Sequence, residues 1–355
     1  MNLVGSAGQV RILIVKLSSL GDVVHAMPVV ADIRAAHPQA QVDWVVEPAF
    51  APLVRRVVGI GDVLECPLRR WRERWWTART REEFRAFRQR LQRDTYDAVI
   101  DLQGLTKSAL VARLARGRRF GLANKTEGSS FEAPAKWLVD LAIPMPSRIH
   151  ALDRSRELVA RVLGTQVMGP PDFGLRAIVD KLRQRTIVFA HGTSREDKRW
   201  PEARWAALGR RFVEAGWQIA LPHGDDVELA RAERLGAAID SAVTAFVSGV
   251  HGRGPVVEVW PRLRLDAMLD RLGAAHGVIG VDSGLSHMAV ALGLPHVQLY
   301  LHPTAWRTGP LTTHGHRHQV SVGGAEVPTA DEVWDAWRRV WAASIAARDG
   351  APAGS

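Results

Sequence analysis

A single carboxylate stands at the first helix start that the sequence marks. Asp22 closes the stretch KLSSLGD at 16–22, between a short apolar run and a segment with helical apolar spacing. Small hydroxylated residues and a glycine between a strand and a helix are typical of phosphate loops, but a carboxylate would repel a phosphate. We expect Asp22 to act instead as a general base on a hydroxyl nucleophile. The common alternative is an N-terminal helix carboxylate with a structural role.

Two loops in the second half have the composition of anion-binding loops. The first, HGTSREDKRWP at 191–201, offers the hydroxyls of Thr193 and Ser194 and the ammonium of Lys198. The second, DSGLSH at 282–287, opens a helix, where N–H groups and the helix dipole favour a diphosphate. One such loop alone is more typical of an ordinary capped turn. Two on strand ends of the same half predict a nucleotide-diphosphate site.

Further candidates belong to the same predicted site. The second loop supplies Asp282, Ser283, Gly284 and His287. Gly284 lets a ligand approach the backbone closely, and His287 either donates to a phosphate oxygen or is structural. Glu228 lies near another helix start, where it suits the hydroxyls of a ribose or sugar and equally well serves as a helix N-terminal charge.

The first half carries a basic run, RRWRERWW at 69–76. The forked guanidiniums of Arg69, Arg70 and Arg72 suit carboxylates and phosphates, and the tryptophans can anchor the segment or contact an amphipathic ligand. Lys107, in DLQGLTKS at 101–108, adds positive charge at another predicted strand end. A solvated basic helix and a nucleic-acid-binding surface are the alternative interpretations.

The candidate residues are positioned by predicted strands and helices. Short β-branched runs, typical of strands, alternate along the chain with longer helical patterns. This rhythm predicts an α/β protein with parallel sheets covered by helices on both faces. Strands are predicted at 11–15, 42–46, 98–101, 186–190, 218–222, 277–281 and 296–301. Helices are predicted at 23–36, 82–93, 201–215, 227–236, 265–274, 286–292 and 329–347. Ligands of open α/β sheets bind beyond the carboxyl ends of the strands, where the candidate loops lie.

The stretch GTQVMGPPDFG at 164–174 is rich in Gly and Pro and predicts a linker between two halves of similar size. We therefore expect an N-terminal domain at 1–165, a linker at 166–180 and a second domain at 181–328. A C-terminal helix at 329–347 and a disordered tail at 348–355 complete the predicted organisation.

Composition restricts the function classes. The chain has 355 residues and a net charge of +10, which favours anionic partners. Its single cysteine, Cys66, excludes an internal disulfide or a multi-thiolate metal site, and the histidines show no HExxH spacing. No Walker loop and no GxGxxG follows a strand, which disfavours ATPases and dehydrogenases. Without a signal-peptide core or a span of about 18 apolar residues, we expect a cytoplasmic protein that touches a membrane at most peripherally.

Six stretches together resemble the lipopolysaccharide heptosyltransferases, from about residue 10 to about residue 310. They are KLSSLGDVVHAMP, DWVVE, RRWRERWW, YDAVIDLQGLTKSAL, the DKRWP loop and VDSGLSH. VDSGLSH marks the wider family, whereas KxSSxGD with RRWR is most similar to the heptosyltransferase I type. The resemblance implies the GT-B fold, with two Rossmann-like α/β/α domains facing each other across a cleft. The N-terminal domain would bind the acceptor, and the C-terminal domain ADP-heptose.

The implied activity is that of an inverting, metal-independent glycosyltransferase without a cofactor. It would transfer L-glycero-D-manno-heptose from ADP-heptose to the inner Kdo of Kdo2-lipid A, at the cytoplasmic face of the inner membrane of a Gram-negative bacterium. A heptosyltransferase II or III acting on a heptose acceptor is the nearest alternative. A non-catalytic nucleic-acid-binding protein is a more remote one, and we expect no nucleic-acid partner.

The resemblance also implies roles for individual residues. Asp22 would be the catalytic base. The donor would be bound by Thr193, Ser194, Lys198, Glu228, Asp282, Ser283, Gly284 and His287. The acceptor would be bound by Ser19, Gly21, Arg69, Arg70, Arg72 and Lys107.

Three features depart from the family pattern. Glu73 interrupts the basic run. Leu301 and His302 stand where the family has a Tyr-Gly-Pro-Thr sequence after the last strand, and the segment 249–259 is longer than the family needs.

Overall fold

The computed structural model describes residues 9–178, 180–244 and 256–349. The chain divides into two compact units, Met1–Arg176 (unit 1) and Ala177–Ser355 (unit 2). The boundary between the units falls within residues 166–180, just after the Gly- and Pro-rich stretch 164–174. Each unit contains one six-stranded parallel sheet.

Unit 1 has the strand order of a Rossmann fold. Its strands are β1 (Arg11–Val15), β2 (Gln41–Val46), β3 (Ile60–Glu65), β4 (Thr95–Asp101), β5 (Arg116–Leu122) and β6 (Leu141–Ile143). They lie in the order β3-β2-β1-β4-β5-β6. The order reverses between β1 and β4, so the loops that follow these two strands meet at a topological switch point, where α/β sheets bind ligands.

Among the described residues of unit 1, six α-helices connect these strands and a seventh follows β6. They are α1 (Leu20–Ala26), α2 (Pro28–Ala36), α3 (Ala51–Val54), α4 (Leu68–Arg74), α5 (Ala78–Leu91), α6 (Thr106–Leu114) and α7 (Ala151–Leu163). The single helix predicted at 23–36 is wrong in one respect, because it is two helices with Pro28 at the start of the second. Proline lacks an N–H group and is favoured at the first helical position, which explains the break.

Unit 2 repeats the same topology. Its strands are β7 (Thr186–Ala190), β8 (Gln218–Leu221), β9 (Val257–Val259), β10 (Gly277–Val281), β11 (His296–Tyr300) and β12 (Gln319–Gly323). Their order, β12-β11-β10-β7-β8-β9, places a second switch point between β7 and β10. Its helices are α8 (Glu202–Glu214), α9 (Asp226–Thr244), α10 (Leu265–Ala274), α11 (Gly284–Ala291), α12 (Ala305–Thr308) and α13 (Ala330–Asp349).

All seven predicted strands are present in the structure, and the α/β class is confirmed. The prediction missed β3, β5, β6, β9 and β12. Four of these, β3, β6, β9 and β12, are the edge strands of the two sheets, and β5 lies next to an edge strand and carries three arginines. Residues 249–255 of the long segment and 350–355 of the predicted tail lie outside the described residues, and α13 continues to Asp349. Among the described helices, none has the length and apolar character required to cross a membrane.

Helix α13 packs on unit 2 through Trp337, which is 1% exposed. Its ring lies 5.5 Å from Phe212 and 5.3 Å from Trp217, between ring centroids. A Cβ atom at Gly277 would come within 2.3 Å of the Trp337 ring, so the strand needs glycine there to admit it. The final helix is therefore part of the core of unit 2.

We expect Trp337→Ala to lower the free energy of unfolding by about 3–5 kcal/mol, because it leaves a large cavity in a packed core. Thermal unfolding of the full chain measures this effect. Arg339→Ala, on the exposed face of the same helix, is the control and should leave the melting temperature nearly unchanged. Equal effects of the two substitutions would contradict the packing argument.

Candidate active site

Asp22 lies in the first turn of α1, next to the switch point of unit 1. Its Oδ2 accepts hydrogen bonds from the Ser19 hydroxyl at 2.8 Å and from the Ser19 N–H at 3.3 Å. Its Oδ1 lies 3.6 Å from the Nζ of Lys16, and the side chain remains 42% exposed. Asp22 therefore does cap the helix, as the structural interpretation holds, but it also presents an accessible carboxylate. Gly21, its neighbour, occupies the same first turn.

The charge of Asp22 is set by its surroundings. Burial raises the pKa of this carboxyl group, but the Lys16 ammonium and the Ser19 hydroxyl outweigh burial and hold the pKa below its ordinary value. His25 and Arg154 act in the same direction. Asp22 is consequently ionised at neutral pH, the state in which a carboxylate can accept a proton.

The loop after β4 is tied to the loop after β1. The Gln103 side-chain oxygen accepts the Leu17 N–H at 2.8 Å. Asp101 in turn accepts the Gln103 N–H at 2.9 Å and the Ser108 hydroxyl at 3.0 Å. Burial raises the pKa of Asp101 to about 6 in spite of these hydrogen bonds. Hydrogen bonds of Gln103 thus join the loop that leads to Asp22 with the loop after β4.

Helix α4 carries the basic run. The Glu47 carboxylate accepts backbone N–H groups of Leu68 and Arg69 at the helix start, and Lys107 attracts it electrostatically. Trp71 is buried and donates its indole N–H to Glu83 at 3.2 Å. The helix is therefore fixed to unit 1 by one tryptophan and by contacts at its first turn.

Glutamates neutralise part of the basic run. Arg69 is 3.4 Å from Glu73, and Arg70 is 2.5 Å from Glu83. Arg72 is exposed and forms no salt bridge in the part of the chain that the structure describes. Glu73, which interrupts the run, thus pairs with the preceding turn and leaves Arg72 the less compensated cation.

In unit 2, Asp282 joins several of the predicted donor residues. Its Oδ2 lies 2.5 Å from the Lys198 Nζ, and its Oδ1 lies 3.3 Å from the His287 Nε2. The Thr308 hydroxyl donates to the same Oδ1 at 3.2 Å. Burial raises the pKa of Asp282, but the hydrogen bond and charge of His287 and the charge of Lys198 lower it well below its ordinary value. The site therefore holds a buried carboxylate that orients a lysine and a histidine.

The start of α11 adjoins this carboxylate. Ser283 is the N-cap residue, and its hydroxyl is shielded from solvent without a hydrogen-bond partner among the described residues. Gly284 follows as the first residue of the helix. Free N–H groups at a helix start with an unused hydroxyl are suited to an anion.

A cavity of about 200 Å³ lies beside the loop that follows β7, lined by Thr193, Glu228 and three arginines, Arg199, Arg231 and Arg234. Glu228 accepts the Gly224 N–H at 2.8 Å. A Cβ atom at residue 192 would meet the Glu228 carboxylate at 2.3 Å, so glycine there lets the loop and Glu228 approach closely. Ser194 is exposed on the same loop.

Sequence reasoning missed several residues of both sites. Lys16, Arg154 and Thr308 contact or attract candidate residues, and Gln103 joins the two switch-point loops of unit 1. Only the positions of Lys16 in KLSSLGD and of Gln103 in DLQGLTKS gave any signal. Thr308 is further connected to Tyr300, whose hydroxyl lies 3.0 Å from its own. His302, part of the departure after β11, lies 3.3 Å from Asp197 on the loop after β7. These contacts join residues that are distant in sequence, which no local pattern reveals.

The comparison with protein-family models decides the family. Residues 84–328, more than half of the chain, match the model of glycosyltransferase family 9 (heptosyltransferase). The chain belongs to glycosyltransferase family 9. It is 37% identical over 298 residues to lipopolysaccharide heptosyltransferase 1 of Escherichia coli K12, an alignment that covers 82% of this chain and 87% of the relative. Lipopolysaccharide heptosyltransferase 2 of the same strain is 26% identical over 306 residues, covering 82% of each chain.

Solved structures of a family member match the fold. The E. coli heptosyltransferase WaaC with ADP superposes with a TM-score of 0.79 at 34% identity, covering 93% of this chain and 99% of that one. WaaC with ADP-2-deoxy-2-fluoro heptose gives 0.75 at 34% identity, covering 92% and 98%. The predicted α/β fold of the GT-B type and the heptosyltransferase resemblance are therefore confirmed. The roles of single residues remain predictions.

We expect Asp282→Asn to destabilise the chain by about 1–3 kcal/mol at pH 7, because Lys198 and His287 lose their buried partner. The pKa of Asp282 is lowered by folding, so its contribution is present above the ordinary carboxyl pKa and is lost as the pH falls through the lowered value. The difference in melting temperature between wild type and variant should therefore shrink from pH 7 to pH 3. Asp335→Asn, on an exposed carboxylate of α13, is the control. A pH-independent difference would contradict the assignment.

Proposed function

We propose that this chain is a lipopolysaccharide heptosyltransferase of type I, which transfers heptose from ADP-heptose to the inner Kdo of Kdo2-lipid A. The observation that carries the proposal is the ionised, accessible Asp22 at the switch point of one sheet, in a chain whose other sheet carries Lys198 at the equivalent point. The higher identity to heptosyltransferase 1 than to heptosyltransferase 2 supports the first type.

The donor is proposed to bind unit 2. Lys198, the Ser283 hydroxyl and the start of α11 supply positive charge and donors for the diphosphate, and His287 adds a ring N–H. Thr193 and Glu228 line the cavity beside them and suit the hydroxyls of the ribose. WaaC was solved with ADP and with an ADP-heptose analogue, which supports this class of donor.

The proposed reaction is a single displacement with inversion. The acceptor hydroxyl oxygen attacks the anomeric carbon, the bond from that carbon to the diphosphate oxygen breaks, and ADP leaves from the opposite face. The hydroxyl proton passes to the Asp22 carboxylate. A weak base suffices here, because the attacking oxygen becomes strongly acidic as its new bond forms.

Charge that grows on the leaving diphosphate is proposed to be stabilised by Lys198 and the start of α11, without a metal ion or another cofactor. These groups would do the electrostatic work that a divalent cation does in other transferases. Turnover that survives exhaustive treatment with EDTA would support this part of the proposal, and turnover restored only by added Mg²⁺ or Mn²⁺ would overturn it.

The acceptor is proposed to lie against unit 1. Arg69, Arg70, Arg72 and Lys107 offer positive charge to the carboxylates of Kdo and the phosphates of lipid A. Ser19 and Gly21 adjoin Asp22, where the acceptor hydroxyl would bind. Because lipid A resides in a membrane, we also propose peripheral contact of the chain with the cytoplasmic face of the inner membrane.

We expect Asp22→Asn to lower kcat by about 10²–10⁴-fold, the usual contribution of a general base, with unchanged affinity for ADP. Mass spectrometry of the product formed from ADP-heptose and Kdo2-lipid A measures the activity, and NMR of the product gives its anomeric configuration. Asp94→Asn, which removes a carboxylate just before β4, at the amino-terminal end of that strand, is the matched control.

Four outcomes would contradict this proposal. Near-wild-type turnover of Asp22→Asn would remove the base, and retention of configuration would remove the single displacement. Faster transfer to heptosylated acceptors than to Kdo2-lipid A would assign the chain to type II or III. Steeply salt-dependent binding of DNA or RNA would favour the remote alternative.

The proposed membrane contact predicts a role for two exposed tryptophans. Trp75 and Trp76 follow α4 and are 68% and 62% exposed, beside the arginines of the basic run. We expect Trp75→Ser with Trp76→Ser to weaken sedimentation with phosphatidylglycerol vesicles by about tenfold or more, since each buried aromatic ring contributes about 1.5–3 kcal/mol. Trp137→Ser is the control, because Trp137 is 71% exposed on a different segment. Equal losses for both variants would contradict the assignment of the contact surface.

A further inference from the structure

Lys16 is a buried cation with one salt-bridge partner. Its side chain is 3% exposed, and Asp22 is the only carboxylate with which it forms a salt bridge in the described ranges 9–178, 180–244 and 256–349. Burying an ammonium group is costly unless hydrogen bonds and an opposite charge compensate it. An apolar side chain would fill this space without that cost, so the charge itself calls for an explanation.

The backbone around Lys16 is fixed on several sides. The Lys16 N–H donates to the Val45 carbonyl at 3.2 Å, and its own carbonyl accepts the Trp44 indole N–H at 3.1 Å. The ammonium group donates to the Leu102 carbonyl at 3.4 Å, so contacts with β2 and with the loop after β4 hold it in place. The Nζ atom is thus a fixed point against which the Asp22 carboxylate can be aligned.

The two oxygens of Asp22 have different surroundings. Oδ2 is occupied by two hydrogen bonds from Ser19, whereas Oδ1 faces the Lys16 ammonium at 3.6 Å. This distance is longer than a direct charged hydrogen bond of about 2.7–2.9 Å. Lys16 therefore attracts Oδ1 and sets its direction without fully occupying it.

We propose that Lys16 is a positioning residue for the reaction: its fixed ammonium aims the Asp22 carboxylate and keeps it ionised while Oδ1 remains able to take the acceptor proton. This inference rests on the proposed function, because it assigns Lys16 a role through the base. It predicts that the charge of Lys16, rather than its volume, matters for turnover.

Several other groups face this pair and must be separated from it. Asp22 is faced by His25 on its own helix and by Arg154 on α7, and Lys16 is faced by Arg154 and by Asp101 at the end of β4. Burial raises the pKa of Asp101 to about 6, so Asp101 can itself titrate in the range where activity is measured. A test must therefore show that any change in pH dependence belongs to Asp22.

The test compares Lys16→Met, which keeps the volume, with Lys16→Arg, which keeps the charge. For Lys16→Met we expect kcat to fall by about tenfold to a hundredfold at pH 8, since misplacement of a reacting group by about 1 Å costs up to this much. The KM for ADP-heptose should not change. Lys16→Arg should recover a large part of the loss.

The pH profile gives a readout that a merely structural role would not move. Activity requires the ionised carboxylate and is lost as the pH falls through its pKa. Removal of a cation within about 4–6 Å raises that pKa, so the acid limb of kcat/KM should move upward by about 1–3 pH units in Lys16→Met. The double variant, which combines Asp22→Asn with Lys16→Met, should lack this acid limb. Its kcat should be no lower than that of Asp22→Asn alone.

Lys181→Met is the control for removal of a lysine ammonium that donates to backbone carbonyls, here on an exposed residue. Lys181 donates to the Gly273 and Ala275 carbonyls in unit 2 and lies outside the proposed machinery. It should change stability without moving the pH profile. The proposal is overturned by an unchanged profile in Lys16→Met, by an acid limb that persists in the double variant, or by fully additive losses. If Asp22→Asn keeps near-wild-type turnover, the assignment of Asp22 as the base fails together with the role of Lys16. If only Lys16→Met keeps near-wild-type turnover, Asp22 remains the proposed base and only the role of Lys16 is rejected.

Discussion

A lysine paired with a carboxylate stands at the switch point of each sheet, and the rest of both sites is built around these pairs. In unit 1 the lysine is 3% exposed and the carboxylate of Asp22 is 42% exposed. In unit 2 the order is reversed, since Lys198 is 19% exposed and Asp282 is 6% exposed. The same ion pair therefore presents an anion on one unit and a cation on the other. A ligand meets the more exposed member, so unit 1 suits a hydroxyl that must lose a proton and unit 2 suits a phosphate.

The shared strand order explains why the pairs occupy equivalent places. In both sheets the first and fourth strands of the unit lie side by side, and their carboxyl ends bring two loops together. The buried member of each pair is held by the loop after one strand and contacted by the loop after the other. Leu102 contacts Lys16 in this way, and Lys198 contacts Asp282. Charge can be buried at these points because neighbouring carbonyls, hydroxyls and opposite charges compensate it.

The architecture of each unit and the type of chemistry in each loop could be predicted from the sequence. Short apolar runs such as GVIGV, bounded by turn residues, favour a strand, and a serine before a glycine favours a helix start. The residues that contact these loops could not be predicted in the same way, because only the fold brings Thr308 near Asp282 and the side chain of Lys16 near Asp22. Edge strands such as β3 were missed for a different reason: charged residues, which are common on strands at a sheet edge, interrupt their apolar pattern. Domain boundaries and the roles of single residues remain predictions.

The charge distribution of the basic run bears on the kind of anion that it suits. A nucleic-acid surface needs many uncompensated cations along a continuous path, because each neutralised phosphate releases counterions. Here Arg69 and Arg70 are paired with Glu73 and Glu83, and exposed tryptophans follow directly in sequence. Alternating cations, carboxylates and aromatic rings match a ligand with a few discrete anionic groups next to apolar chains. The net charge of +10 attracts anions in general, whereas this local pairing favours an amphipathic glycolipid over a polyanion.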